Sequence, residues 1–273
     1  MTTPHTELAK IPACAYERAG DRYRATELTR GPWSPAHQHA GPPIALVGGA
    51  IERAAAAMEY THVARLTANL IRPIPIGELA FEVRTEYAGK GVAHFAATLE
   101  AEGKEVARFT AVAQREQAIA LPADVPGHPL PQAPKRVDES VEARMPIVTD
   151  MVGYPELVQT RVATGRPFRT PSAVWFRLRY PLVAGESPLP LERVAVAADS
   201  GNGISAVLDF RKFTFANSDL TINLLRVPRG EWICVDSQSY FCDEGGGLAE
   251  SRLFDEEGLV GRATQSLAVR ARG

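Results

Sequence analysis

Two hydrophobic periods share the first half of the chain. Residues 15–28 alternate polar and apolar positions around Gly20 and Asp21, the pattern of a hairpin or a pair of short strands. After a break at Gly31-Pro32 the period changes. Ile44, Val47, Ile51, Ala54, Ala55 and Met58 recur at helical spacing behind Gly41-Pro42-Pro43, which predicts a helix with proline in its first turn, running to about Tyr60. Gly48 and Gly49 inside it each cost about 1 kcal/mol relative to alanine. They therefore predict the close approach of another backbone, as in a sheet wrapped tightly around the helix. Period-two strands follow at 62–72, 78–88, 92–101 and 105–116, separated by turn material at 73–77, 89–91 and 102–103. One helix followed by an antiparallel meander is an α+β unit.

From 121 to 146 prolines replace periodicity, at Pro122, Pro126, Pro129, Pro131, Pro134 and Pro146, and the stretch reads as a linker. It divides the chain into residues 1–118, a linker at 119–150, and residues 151–273. The second part repeats the first. Asn69-Leu70-Ile71-Arg72 returns as Asn223-Leu224-Leu225-Arg226, and Val106-Ala107-Arg108 with Thr110 returns as Val260-Gly261-Arg262 with Thr264, all at one spacing of 154. A strand at 172–179, a helix from 191 to about 204, and strands at 212–226, 231–242, 248–255 and 259–270 complete the second copy. Two copies of one supersecondary unit predict a pseudo-symmetric pair.

At 273 residues, 45% hydrophobic and 23% charged, the composition is that of a globular protein with room for two such cores. A net charge of −2 and a pI near 6.3 give no field to draw in nucleic acid or an anionic membrane. Cys14, Cys234 and Cys242 have no metal-ligand spacing and suit a reducing compartment, so the cytoplasm is expected. Neither an export signal in residues 1–10 nor a membrane span is expected from the hydropathy pattern.

A helix cradled by an antiparallel sheet and duplicated in one chain resembles the double hotdog of the acyl-CoA thioesterase II family. The likeness covers nearly the whole chain. Its marks are His39-Ala40-Gly41-Pro42-Pro43-Ile44-Ala45-Leu46 and Asn69-Leu70-Ile71-Arg72-Pro73-Ile74-Pro75 in the first half, and Ala197-Ala198-Asp199 and Ala263-Thr264-Gln265 in the second. In that family an Asp late in the second helix, a Ser or Thr on the next strand and a Gln on the last strand hold the hydrolytic water. The resemblance carries these roles to Asp199 and Gln265, with Asn217 at the hydroxyl position. Asn is a departure from the family pattern, although its amide both donates and accepts. Ser218 or Thr221 is the alternative if the register shifts.

Thioester hydrolysis needs an aimed, activated water and donors for the developing oxyanion. On this reading Asp199 is general base or orienting charge, and Gln265 and Asn217 supply the other two hydrogen-bond directions. His39, Gly41 and Ile44 are expected at the substrate, with the Gly41 N–H at the helix start polarising the thioester oxygen. His37 and His39 are candidates for phosphate binding or base chemistry. Arg72, Lys90, Arg211, Lys212 and Arg226 are candidates for the phosphates of coenzyme A. No metal or cofactor is called for. At the repeat spacing Ala45, Val63 and Ala111 stand where the second half has Asp199, Asn217 and Gln265, which predicts chemistry in one copy and an acyl wall in the other. A hydratase would pair an Asp with a nearby His, and the second half has no histidine after His128, which counts against that alternative. A non-catalytic acyl-CoA binder is the other alternative. Unpaired sheet edges predict a homo-oligomer.

Overall fold

The computed structural model describes residues 11–122, 124–125, 129–145 and 151–272. The expectations for residues 1–10 and for parts of the 119–150 stretch, Pro126 and Pro146 included, lie outside them. The first half opens with the expected hairpin, β1 (Tyr16–Ala19) and β2 (Arg22–Ala25), turning on Gly20 at a φ of 67°. Helix α1 (Gly41–Ala56) is buried along its first nine residues. It ends a turn earlier than the apolar spacing predicts, because Glu59 takes a left-handed φ of 65° and the Tyr60 N–H returns to Ala55 O at 3.0 Å, closing the helix C-terminus. Strands β3 (His62–Leu70), β4 (Glu78–Ala88), β5 (Val92–Ala101) and β6 (Lys104–Gln114) follow at the predicted places and lie in the order β4-β5-β6-β3.

The second half contains β7 (Val141–Glu142), a single turn α2 (Tyr154–Leu157), β8 (Val158–Thr164), β9 (Ser172–Leu178), α3 (Pro190–Ala198) and α4 (Gly201–Ser205). It closes with β10 (Phe213–Asn217), β11 (Asp219–Leu224), β12 (Ile233–Phe241), β13 (Gly246–Asp255) and β14 (Gly258–Ala271). Several of these differ from expectation, the short β7 and α2 among them. The helix predicted from 191 to 204 breaks after Asp199, where the Ser200 N–H tightens to Ala197 O at 3.0 Å and two glycines follow. The strand predicted at 212–226 breaks at Ser218, whose N–H goes to Ser266 O while its carbonyl accepts from Leu70. Strand β8 was not expected, although Val158 and Thr160 are buried in alternation. The described part of 119–150 lies against the second half, with Lys135 O accepting from Trp175 Nε1 at 2.9 Å and Pro131 O from the Leu259 N–H at 2.8 Å.

One antiparallel sheet of fourteen strands among the described residues joins the halves, in the order β1-β2-β4-β5-β6-β3-β11-β14-β13-β12-β9-β8-β7, with β10 paired to β14. The seam is β3 against β11. Thr67 faces Thr221 there, their Oγ1 atoms 3.2 Å apart, and the two are 154 positions apart in sequence. Equivalent residues facing each other across an antiparallel pair are what a twofold axis demands. Ala45, Val63 and Ala111 are all core residues. The helix starts, Gly41 and Pro190, do not keep the strand spacing, so the counterpart of Asp199 in α1 does not follow from it.

Helix α1 packs against α3. The expected approach of another backbone at Gly48 and Gly49 is corrected: side chains of α3 and of β3 fill the space instead. A Cβ on Gly49 would overlap Glu192 Oε1, and one on Gly48 would lie 3.0 Å from Leu66 and 3.5 Å from Leu191. Glu192 caps α3 by accepting the Leu189 N–H at 2.9 Å and meets Arg53 at 3.3 Å, while Glu52 accepts the Leu191 N–H at 3.1 Å. Burial pushes the Glu52 carboxyl up to about 7 and raises Glu192 as well.

The folded protein therefore holds more protons than the unfolded chain between the ordinary carboxyl value of 4.5 and about 7. Stability from this pair is full below that window and is lost as pH rises through it. Urea midpoints are expected to fall from pH 5 to pH 8, with Glu52→Gln flattening the slope; a midpoint independent of pH in the wild type would contradict this.

Candidate active site

The break after α3 leaves Asp199 at the helix C-cap, with its side chain only 3% exposed. A carboxylate so buried needs donors on both oxygens. Asn217 Nδ2, from the end of β10, donates to Oδ1 at 2.8 Å, and Gln265 Nε2, from the middle of β14, reaches the same oxygen at 3.3 Å. The other oxygen, Oδ2, lies 2.8 Å from His39 Nδ1. Gln265 is itself held twice more, donating to Asp199 O at 3.2 Å and accepting the Asn202 N–H of α4 at 2.9 Å.

A nitrogen 2.8 Å from a carboxylate oxygen carries a proton, so the imidazole donates through Nδ1. The Gly41 N–H also approaches Nδ1, at 3.2 Å, but a protonated nitrogen cannot accept it. Nε2 takes no part in these contacts. The ring is stacked on Tyr154, with centroids 3.8 Å apart and planes 5° from parallel. The Tyr154 hydroxyl donates to Val196 O at 2.7 Å and meets Ser200 Oγ at 2.8 Å. Burial holds that hydroxyl well above the phenol range, so it remains a donor.

A cavity of about 440 Å³ opens beside this cluster, lined by His39, Tyr154, Asp199 and Asn217 and walled further along by Trp33, Phe168 and Phe210. Of the three residues expected to share a water, Asn217 and Gln265 thus meet the carboxylate of the third, Asp199, and Gln265 is not part of the cavity wall. His39 joins them from the other half of the chain. The argument that the second half lacks a histidine fails for this reason, since the seam brings one in from the first half. His37 also lines the cavity. Ile44 does not: it is fully buried in the core, so its expected contact with substrate is corrected to a packing role. Gly41 sits against the end of α3, where a Cβ would lie 3.0 Å from Val196 O and 3.3 Å from Asp199 Cβ, and it is not part of the cavity wall.

Of the cations considered for phosphate binding, Arg72 lines the cavity. Arg226 is committed to the buried Asp255 through two 2.6 Å contacts, and Arg211 is paired with Asp209 at 2.9 Å. Arg30, which the sequence reading passed over, lines the cavity too. Tyr154 was missed because it lies just after the linker, in a one-turn helix too short to show a period. Among the described residues no group of three or more His, Cys, Asp or Glu side chains could hold a metal ion, and no helix is long and apolar enough to cross a membrane.

Comparison with known proteins fits this architecture. Residues 29–114 match the acyl-CoA thioesterase N-terminal domain, and residues 122–269 match the acyl-CoA thioesterase C-terminal domain. The chain belongs to the acyl-CoA thioesterase family and is a thioester hydrolase with a double-hotdog fold. A provisionally assigned thioesterase II of Thermobifida fusca is 18% identical with a TM-score of 0.70, covering 94% of this chain and 96% of its own. A provisionally assigned thioesterase of Novosphingobium aromaticivorans is 19% identical with a TM-score of 0.69, covering 93% and 98%. A hotdog protein of unknown function from Alicyclobacillus acidocaldarius is 16% identical with a TM-score of 0.67, covering 96% and 97%. At such identities the likeness shows the fold. No curated protein sequence matches.

Tyr154→Phe keeps the ring under His39 and removes both hydroxyl contacts, leaving Val196 O without its donor. A loss of about 1 to 2 kcal/mol in urea denaturation is expected, and an unchanged stability would show that those bonds contribute nothing.

Proposed function

We propose that the protein hydrolyses an acyl-CoA thioester using a water activated by His39 and held beside Asp199 and Asn217, with Gln265 fixing the Asp199 carboxylate from behind. The observation that carries this is the convergence of three N–H donors from separate elements on one buried carboxylate at a cavity wall. Asp199 fixes the imidazole with Nδ1 as donor and stabilises the imidazolium that forms when Nε2 takes a proton. This refines the expectation that Asp199 is itself the base: its two oxygens already accept three donors, whereas the Nε2 lone pair is unused.

The step balances without a further reactant. Water oxygen bonds to the carbonyl carbon as its proton passes to Nε2, the carbon–sulfur bond then breaks, and the proton goes to the departing sulfur. The products are a free acid and a thiol. The second Asn217 N–H, engaged only by a 3.4 Å contact to Asp219 O, is available to the thioester oxygen. Arg30 and Arg72 supply positive charge at the same cavity for the phosphates of coenzyme A. A cytoplasmic location and a homo-oligomer with covered sheet edges accord with this reading.

Free thiol released from a panel of acyl-CoA esters tests it. Asp199→Asn and His39→Gln are each expected to lower kcat by roughly 100-fold or more with little change in KM. Unchanged turnover in either variant removes that residue from the chemistry. Loss of an enoyl thioester without thiol release would move the reaction to hydration.

A further inference from the structure

We propose that the acyl group this cavity selects carries a ring, as in an aryl or arylalkanoyl thioester, in preference to a long linear chain. The inference rests on the hydrolytic reading above and concerns the wall facing the same site.

The wall begins next to the chemistry. Phe215 and Asn217 are two residues apart on β10, which separates their origins by about 7 Å, and both belong to the cavity lining. Phe215 packs at 4.6 Å between ring centroids on Phe210, at 5.5 Å edge-on to Trp33, and at 6.2 Å from Phe241 behind it. Phe210 in turn lies 5.6 Å from Trp33 and 5.4 Å from Phe168. Phe215 is fully buried, so it backs the layer formed by Trp33, Phe168 and Phe210. Rings locked by other rings make this part of the wall stiff, in contrast to Met145 and Met151 elsewhere in the lining, which can adapt to a bending alkyl chain.

Phe168 supplies an independent sign. It is a bulky residue at a φ of 63°, in the left-handed region that favours glycine. Its ring lies against α4, where a Cβ on Gly203 would come 3.4 Å from Phe168 Cε1. A strained backbone that carries an aromatic side chain to a cavity wall is a feature associated with ligand clamps. Adenine does not explain the wall, because it hangs at the far end of the pantetheine arm while these rings stand beside the thioester carbon. An acyl ring one or two bonds from that carbon meets them directly, with the offset and edge-on geometries the wall already uses.

The test compares kcat/KM for phenylacetyl-CoA, hexanoyl-CoA and palmitoyl-CoA, alongside calorimetric binding of free phenylacetate and hexanoate. Phenylacetyl-CoA is expected to exceed both others by about 10-fold or more, a margin within what apolar pockets achieve. Phe168→Gly relieves the backbone strain and so keeps the fold; it is expected to lower the phenylacetyl-to-hexanoyl ratio at least about fivefold. Equal or better turnover of either linear ester, or an unchanged ratio in the variant, overturns the inference. If no ester is cleaved but phenylacetate binds more tightly than hexanoate, the pocket assignment stands and the hydrolytic reading falls. Equal binding of the two acids without turnover removes both.

Discussion

The antiparallel pairing of β3 with β11 is the contact on which the rest of the molecule depends. It makes two sheets one and sets Thr67 against Thr221 at a pseudo-twofold axis. It also brings α1 and α3 against each other. That helix contact has no slack: Gly49 leaves the space that the Glu192 carboxylate fills, and Gly41 meets the last turn of α3. His39, two residues before Gly41, is thereby delivered to Asp199. The site is a product of the seam, assembled from a loop in one half and a helix end and two strands in the other.

Within that site the energetics centre on one carboxylate. Asp199 is almost fully removed from water, which would be costly for an unpaired charge, and Asn217, Gln265 and His39 compensate with donors from three elements. The same bonds orient the groups. Gln265 is pinned by the α4 backbone, and His39 is clamped between the carboxylate and the face of Tyr154. Asn at position 217 fits this scheme better than a hydroxyl would in one respect, since a primary amide has a second N–H left after serving the carboxylate.

The fold was legible because both halves write it in short-range signals. Periodicity located α1 and the four strands after it, and the recurrence of Asn69-Leu70-Ile71-Arg72 at Asn223 found the duplication. Breaks were less legible. The helix interruption after Asp199 and the strand interruption at Ser218 both depend on partners far along the chain, Gln265 and Ser266 among them. Asp199 and Gln265 were readable through a family resemblance, not through any local pattern. His39 was a candidate for phosphate binding or base chemistry, but its contact with Asp199 was not legible, because nothing in a linear spacing shows that a loop of the first half ends beside a helix of the second. The ring wall was hidden for the same reason, with Trp33, Phe168 and Phe210 far apart along the chain. Ile44 was misread because helical spacing reports which face is apolar, and not whether that face meets a cavity or a core.

The mixed parentage of the site bears on how such a chain can change over time. A duplicated gene usually leaves each copy free to drift, yet here the cluster around Asp199 takes His39 from one copy and Asn217 and Gln265 from the other. Substitutions on the two sides of the Thr67 and Thr221 seam must therefore be accepted together. A fragment ending before β7 would also expose the bare hydrogen-bonding groups of β3, an open invitation to indiscriminate strand addition. Fusion into one polypeptide does more than tether two modules: it makes their inheritance, their folding and the pocket between them a single heritable unit.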